Sequence, residues 1–305
     1  MKKQLFFAFL LGLALPLAMM ALVKPEQQAA ENTEPVQQTS VKIDVLHDGD
    51  VVEMELEEYI VGVVLSEMPA DFQPEALKAQ AVVARTYARK RMDKGSKHET
   101  SAVCTDPACC QGYRSLGDYL SAGGAEDSVD KVAQAVADTA GLVLKYEGEL
   151  IDATYFSCSG GSTEAAVEVW GADVPYLQAV DSPGEEIAVH YTDEAVFTVE
   201  EFARLTGCTG KPEGWLGRIT YTQGGGVDTI ELCGKIFTGT ELRKLLGLRS
   251  TDFSIEIGEA AVTIATQGFG HRVGMSQYGA EAMARQGSTF QDILSHYYLG
   301  TELGN

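Results

Sequence analysis

The chain has 305 residues, with 23 Lys and Arg against 44 Asp and Glu, and a formal net charge of −21. Phosphate backbones are held by clustered basic side chains, so this balance argues against a nucleic-acid partner. The length suits one large domain or two small ones.

Lys2 and Lys3 precede an apolar stretch from Leu5 to Val23, whose 19 residues are enough to cross a bilayer as a helix. The expected organisation is a cytoplasmic tip at 1–4, a single-pass membrane anchor at 5–23, a flexible Gln/Glu/Pro-rich stalk at 24–40 and one globular region at 41–305. The two lysines hold the tip in the cytoplasm and send the globular region outside it. A cleaved signal peptide is the alternative, because Pro16 interrupts a long helix; both readings export the body of the chain.

The run "VKIDVLHDGDVVEMELEEYIVGVV" reads as a β-hairpin around the turn "HDGD". "SEMP" follows it directly and sets the Glu67 carboxyl beside apolar neighbours, with Pro69 two residues on. Such a carboxyl is either a solvated turn residue or a general acid whose charged form is disfavoured. "PEALKAQAVVARTYARKRM" reads as a helix opening at Pro74, with Leu77, Ala81, Ala84, Ala88 and Met92 on one face. Lys78, Arg85 and Arg89 form a stripe bordering that face, which suits the wall of a cleft or a snorkelling solvated edge. "HETSAVCTDPACC" then gathers His98, Cys104, Cys109 and Cys110, with six residues from His98 to Cys104 and six from Cys104 to Cys110. Imidazole and thiolates are the ligands zinc prefers; a disulfide from Cys104 to Cys109 or Cys110 is the competing reading.

"SVDKVAQAVADTAG" reads as a helix ending at Gly141, and "LVLKYEGELIDATYFS" as a hairpin turning at Glu147-Gly148. "YFSCSGGSTEAAVEVWG" is not a nucleophile elbow. Its Ser159 and glycines instead form a small-residue loop that a long substrate can approach closely. Cys158 reads as a small buried apolar residue, while Cys208 and Cys233 are free to bridge. Three short helices are expected at "TVEEFARLTG", with a Thr198–Glu201 capping box, at "FTGTELRKLLG", and at "STFQDILSHYYLG", with Ser288 and Gln291 as its cap. Between the last two, "GFGHRVGMSQYGA" surrounds His271, Ser276, Gln277 and Tyr278 with glycines, the composition of a binding loop. Strands and helices are interspersed without βαβ alternation, so the expected fold class is α+β, with a substrate cleft in one extracytoplasmic domain.

The motifs "SEMPADFQPEALKAQAVVARTYA", the His-x5-Cys-x5-Cys-Gln run ending at Gln111, "YFSCSGGSTEAAVEVWGADVPYLQAVDSP" and "GFGHRVGMSQYGAEAMARQG" occur in the order found in the stage II sporulation protein D family, which the chain resembles over about residues 42–303. Related modules occur in amidase-enhancer proteins. The resemblance implies a lytic transglycosylase that cuts the bond between N-acetylmuramic acid and N-acetylglucosamine in peptidoglycan during engulfment in sporulation. It implies Glu67, in Glu-x-Pro, as the acid and base, and places Lys78 and Arg85 at the substrate, beside the loop residues Ser159, His271, Ser276, Gln277 and Tyr278. It implies a zinc ion, structural in role, on His98, Cys104 and Cys110; Cys109 is an extra thiol that leaves the ligand choice open. The implied partners are peptidoglycan glycan strands, a cell-wall amidase that removes stem peptides, and other engulfment membrane proteins. Two other readings are a zinc hydrolase and a non-catalytic, glycan-binding activator of an amidase. Glu67 discriminates, since only the transglycosylase requires it.

Overall fold

The computed structural model describes residues 41–305. The expected tip, anchor and stalk lie outside the described residues, within which no helix is long and apolar enough to cross a membrane. Helices and strands are mixed along the chain, as expected.

Strands β1 (Lys42–His47) and β2 (Asp50–Glu55) pair in register around Asp48-Gly49. Both turn residues have positive φ, 49° and 94°, as a two-residue hairpin turn requires. The expected hairpin stops there, because Leu56–Glu67 is not a strand but helix α1. Its apolar run is buried on several faces, and a short run of that kind has no periodicity to separate helix from strand. Pro69 forces Met68 into an extended conformation (φ −125°, ψ 145°), and the helix ends at Glu67.

Helix α2 (Pro74–Lys94) is the spine of the larger core and packs against α1. Strand β3 (Val103–Cys104) runs parallel to β1, with Val103 beside Val45 and Cys104 beside Leu46. A short helix α3 (Leu116–Ser121), capped by Ser115, was not expected from the sequence. Helix α4 spans Glu126–Asp138, starting earlier than expected and stopping short of Gly141. The second hairpin is confined to β4 (Val143–Tyr146) and β5 (Glu149–Leu150), and β6 (Tyr155–Phe156) leaves it for a partner near the C-terminus. Helix α5 (Ala166–Trp170) follows.

Residues 192–267 build a second core. They comprise β7 (Thr192–Thr198), α6 (Val199–Thr206), β8 (Leu216–Tyr221), β9 (Val227–Leu232), β10 (Lys235–Thr238), α7 (Gly239–Leu246), β11 (Asp252–Ile257) and β12 (Ala261–Gln267). Two three-stranded sheets, in orders β10-β9-β8 and β11-β12-β7, enclose Phe202, Trp215, Ile230, Leu242, Val262 and Ile264. Helix α6 starts on the expected capping box, Thr198–Glu201, and α7 on a second one, Thr238–Glu241, and Cys208 is bridged to Cys233. The globular region thus carries two hydrophobic cores.

The chain then returns to the first core through β13 (Met275–Ser276), α8 (Gln277–Arg285), α9 (Phe290–Tyr297) and β14 (Glu302–Gly304). Both helices pack on α2. The cap of α9 is Thr289 with Asp292, one residue beyond the expected Ser288 and Gln291, because the Ser288 N–H is already donated to the Met283 carbonyl.

Arg85 has no exposed surface. Its guanidinium donates to both oxygens of Glu57 at 2.8 and 2.6 Å, and to the carbonyls of Val136 (3.3 Å) and Leu142 (3.2 Å). It therefore ties α1, α2 and the end of α4 together and does not reach a cleft wall. Arg85→Met should lower the free energy of unfolding by about 2 kcal/mol, since it leaves the Val136 and Leu142 carbonyls without their donor, while the half-exposed Glu57 carboxylate stays hydrated. Urea unfolding followed by circular dichroism checks this, and an unchanged midpoint would contradict it.

Candidate active site

Glu67 is the last residue of α1, where the helix dipole presents its negative end. Loop 111–114 crosses α1 at this point. The Arg114 N–H donates to the Gly62 carbonyl at 3.1 Å, and the Gly112 N–H donates to Glu67 Oε1 at 2.6 Å. Both crossings need glycine. A Cβ at Gly62 would lie 2.3 Å from the Tyr113 ring, and one at Gly112 would lie 2.8 Å from Ser66 Oγ and 2.9 Å from Glu67 Oε1.

The facing wall comes from two segments far apart in sequence. Strands β6 and β13 pair in parallel, Met275 with Tyr155 and Ser276 with Phe156, and single bridges continue the contact from Cys158 to Phe269 and from Glu164 to Val273. The small-residue loop and the glycine-rich loop are thereby laid side by side. Gly274, at φ +84°, could not be replaced: a Cβ there would meet the Thr154 carbonyl oxygen at 2.1 Å. Between this wall and Glu67 lies a cavity of about 470 Å³, lined among others by Tyr87, Cys110, Tyr155, Phe269, His271 and Gln277.

Burial raises the Glu67 carboxyl above its ordinary value. The Gly112 N–H and the side chains of Tyr155 and Gln277 pull it back only in part. A hydrogen-bonded chain holds Tyr155 in place. Gln111 Nε2 donates to the Tyr155 hydroxyl at 3.2 Å, and the Tyr59 hydroxyl donates to Gln111 Oε1 at 3.4 Å. Gln277 stands beside the carboxyl, close enough to lower its pKa, yet its buried Nε2 forms no well-aligned hydrogen bond within the protein, which leaves it a donor for a bound molecule. His271 is packed between Phe156 and Trp170 at 5.6 and 5.3 Å. Burial, with the Arg243 charge, lowers it to about 4, so it is neutral; Val273 N–H donates to its Nδ1 at 3.1 Å, which puts the proton on Nε2.

Of the residues singled out in the sequence, Glu67, Cys110, His271 and Gln277 meet at this cavity. Ser159 does not. It is fully buried and bonded through its N–H and hydroxyl to Glu185. Ser276 is the N-cap of α8, accepting from the Gly279 N–H, and Tyr278 packs its ring on Phe72. Lys78 pairs with Glu75 at 3.0 Å and Asp138 at 3.1 Å, and Arg85 is the buried tie described above. Cys158 is buried, and burial, aided by the Glu185 charge, pushes its thiol up to about 11, a structural cysteine as expected. Tyr155, Gln111 and Gly112 were not singled out; only the position of Gln111 and Gly112 directly after the cysteines hinted at them.

His98, Cys104, Cys109 and Cys110 come together, with their ligand atoms all within 4.8 Å of one another. His98 Nε2 lies 3.7 Å from Cys109 Sγ and 3.5 Å from Cys110 Sγ, and the two sulfurs are 4.0 Å apart. None of the four cysteines outside the Cys208–Cys233 bridge is oxidised. Burial acts to raise the Cys110 thiol, but bonds to Cys104, His98 and Tyr87 outweigh it and lower it to about 7, while burial together with the Cys109 and Cys110 thiols pushes Cys104 up to about 11. The cluster can hold a metal ion, and it includes Cys109 beside the three expected residues. Cys110 also lines the cavity at Glu67, so cluster and cavity share a wall.

A family model described as a stage II sporulation protein matches residues 48–146. The stage II sporulation protein D of Bacillus amyloliquefaciens is 39% identical over 283 residues, covering 91% of this chain and 82% of that protein. The protein of the same name from Bacillus subtilis (strain 168) is 39% identical over 282 residues, covering 90% and 82%. The amidase enhancer of Bacillus subtilis is 30% identical over 301 residues, covering 79% of this chain and 40% of that protein.

Gly112→Ala should push Oε1 of Glu67 off its backbone donor. Loss of that hydrogen bond removes an effect that lowers the carboxyl's pKa, so the pKa should rise further. Carboxyl-carbon NMR titration reads this directly; a pKa unchanged or lowered would mean that the backbone bond does not govern the group.

Proposed function

Because the chain belongs to the stage II sporulation protein D family, a family of sporulation proteins, we propose that it is a peptidoglycan lytic transglycosylase of engulfment, with Glu67 as its acid and base. One observation carries the reading. Among the described residues lining the cavity, Glu67 is the single carboxylate. Glycoside hydrolases that deliver water use a pair of carboxyl groups across the scissile bond. A lone carboxyl must serve twice.

Glu67, kept protonated by burial and by the helix terminus, donates its proton to the oxygen linking muramic C1 to the next sugar, and the C1–O bond breaks through an oxocarbenium-like state. The carboxylate so formed takes the proton of the muramic C6 hydroxyl while O6 bonds to C1. The product is a 1,6-anhydro end, no water is consumed, and Glu67 is again protonated. Gln277 Nε2 and the Tyr155 hydroxyl are the donors that orient the carboxyl and hold a sugar oxygen beside it. The strands taken are those whose stem peptides a partner amidase has removed, since a lactyl-linked peptide would crowd a cavity walled this closely by backbone.

The His/Cys cluster fits zinc. With Zn–S of about 2.3 Å and Zn–N of about 2.0–2.1 Å, a tetrahedral ion spaces its sulfurs by about 3.8 Å and nitrogen from sulfur by about 3.6 Å. Among His98, Cys109 and Cys110 the separations are 4.0, 3.7 and 3.5 Å, and with Cys104 all four ligand atoms lie within 4.8 Å of one another. His98, Cys104, Cys109 and Cys110 would hold it. Four protein ligands close the shell, so the ion's contribution is to cross-link loop 98–110 behind the cavity and not to activate water.

Three expectations follow. Glu67→Gln should keep the fold and glycan binding and lose cleavage, while the wild type releases 1,6-anhydro ends from peptide-stripped strands, read by mass spectrometry. Wild-type kcat/KM should fall as pH rises through the raised pKa of Glu67, because the donating form is lost. Ordinary reducing ends would replace the reading with hydrolysis, an active Glu67→Gln would remove the acid, and equal cleavage of stripped and intact strands would remove the amidase. Metal analysis should give about one zinc per chain, absent in Cys104→Ser, with a lowered melting temperature. Metal-free wild-type protein of undiminished thermal stability would contradict the site.

A further inference from the structure

We propose that the solvent face of the β11-β12-β7 sheet is a second saccharide-binding site, which holds uncharged units of the same glycan strand beyond the cavity at Glu67. The proposal rests on the glycan reading above and adds a site to it.

Register defines the floor. Asp252 pairs with Gln267 and Gln267 with Thr192, so these three side chains form a row across the three strands on one face. The next row on that face contains Ser254, Ala265 and Glu194. All but Glu194 line a cavity of about 410 Å³, and Tyr221 at the end of β8 borders it with 61% of its surface exposed. A hydroxyl, a carboxylate and an amide in a row, beside small residues and one exposed ring, match a sugar. Its hydroxyls ask for planar polar partners, and its C–H face asks for an aromatic platform.

Charge narrows the ligand. No Lys or Arg lines this cavity. Its two carboxylates already face guanidinium groups: Asp193 pairs with Arg249 at 3.0 Å, and Asp252 lies 3.6 Å from Arg272. The site has no free cation for an anionic ligand and no unpaired carboxylate cluster for a metal ion. A neutral N-acetylated sugar remains.

Continuity joins this face to the first cavity. Gln267 lines one and Phe269 the other, two residues apart, hence at most about 7 Å along the backbone. Arg249 bridges the same gap, lying over the Phe269 ring at 5.3 Å while paired to Asp193. Phe269 is 38% exposed, and on the first cavity Trp170, 47% exposed, packs on His271. Exposed rings thus accompany the surface from the cavity at Glu67 to the sheet of the second core.

The test uses full-length protein carrying Glu67→Gln, so that nothing is cleaved, and measures binding of short and long chitooligosaccharides by calorimetry. In this background the long oligomers should bind more tightly than the short ones. Tyr221→Ala and Gln267→Ala, both at exposed positions, should each reduce the ratio of long-chain to short-chain affinity by about 10-fold. Tyr221→Phe, which keeps the ring, should retain most of it. An unchanged ratio in both alanine variants, or affinity independent of length before mutation, overturns the second site and leaves the glycan reading standing. No binding of any oligomer overturns both.

Discussion

The buried ion pair between Arg272 and Glu164 joins everything that matters in this structure. Both side chains are 1% exposed and meet at 3.1 Å. Arg272 also donates to the carbonyls of Ser162 and Gly224, and Glu164 accepts from Thr222 and the Gly226 N–H. The β8–β9 turn, which belongs to the second core, is thus locked into the first. The fit leaves no room for side chains: a Cβ at Gly226 would stand 2.5 Å from Glu164 Oε1, and one at Gly224 would stand 2.3 Å from the Thr163 carbonyl. A buried charge pair of this kind is strongly destabilising when one partner is lost, because the other is left without water or counter-charge. Arg272 follows His271 directly, so the clasp that joins the two cores also fixes the loop that walls the cavity.

The position of Glu67 has an equally local cause. Pro69 restricts Met68, the helix stops one residue earlier, and the last helical residue is left at the negative end of the dipole. Two glycines then let loop 111–114 lie against the helix and deliver one backbone donor. A raised but partly compensated carboxyl results from burial opposed by the Gly112 N–H and the side chains of Tyr155 and Gln277.

Much of this was legible in the sequence, for reasons that differ residue by residue. The turns at Asp48-Gly49 and Glu147-Gly148, the Thr198–Glu201 capping box and helix α2 are local patterns, and local patterns survive folding. The His/Cys cluster was legible because its members sit within one short loop. Helix α1 was misread because an apolar run buried on all sides has no period to read. The stripe of Lys78 and Arg85 bordered an apolar face, but periodicity cannot show that the neighbouring space is filled by Glu57 and the end of α4. Ser159 and Ser276 looked like binding residues because serine beside glycine serves caps and buried turns equally well. Tyr155 was invisible as a site residue, since its meaning depends on Gln111 and on a strand pairing more than a hundred residues away.

That pairing has a consequence for how the molecule is made. Glu67 lies near the start of the described chain, whereas Gln277, His271 and the strand that pairs with β6 lie near its end. The first core is also closed from the far end: the Phe290 N–H donates to Glu75, the Gln73 N–H donates to Glu281, and β14 completes the sheet of β4. A nascent or truncated chain can carry the whole of α1 and α2 and still possess only half a cavity, with its carboxyl open to water and its pKa unperturbed. The carboxyl acquires its raised pKa only once the last helices have docked, so completion of the polypeptide is itself the step that sets it.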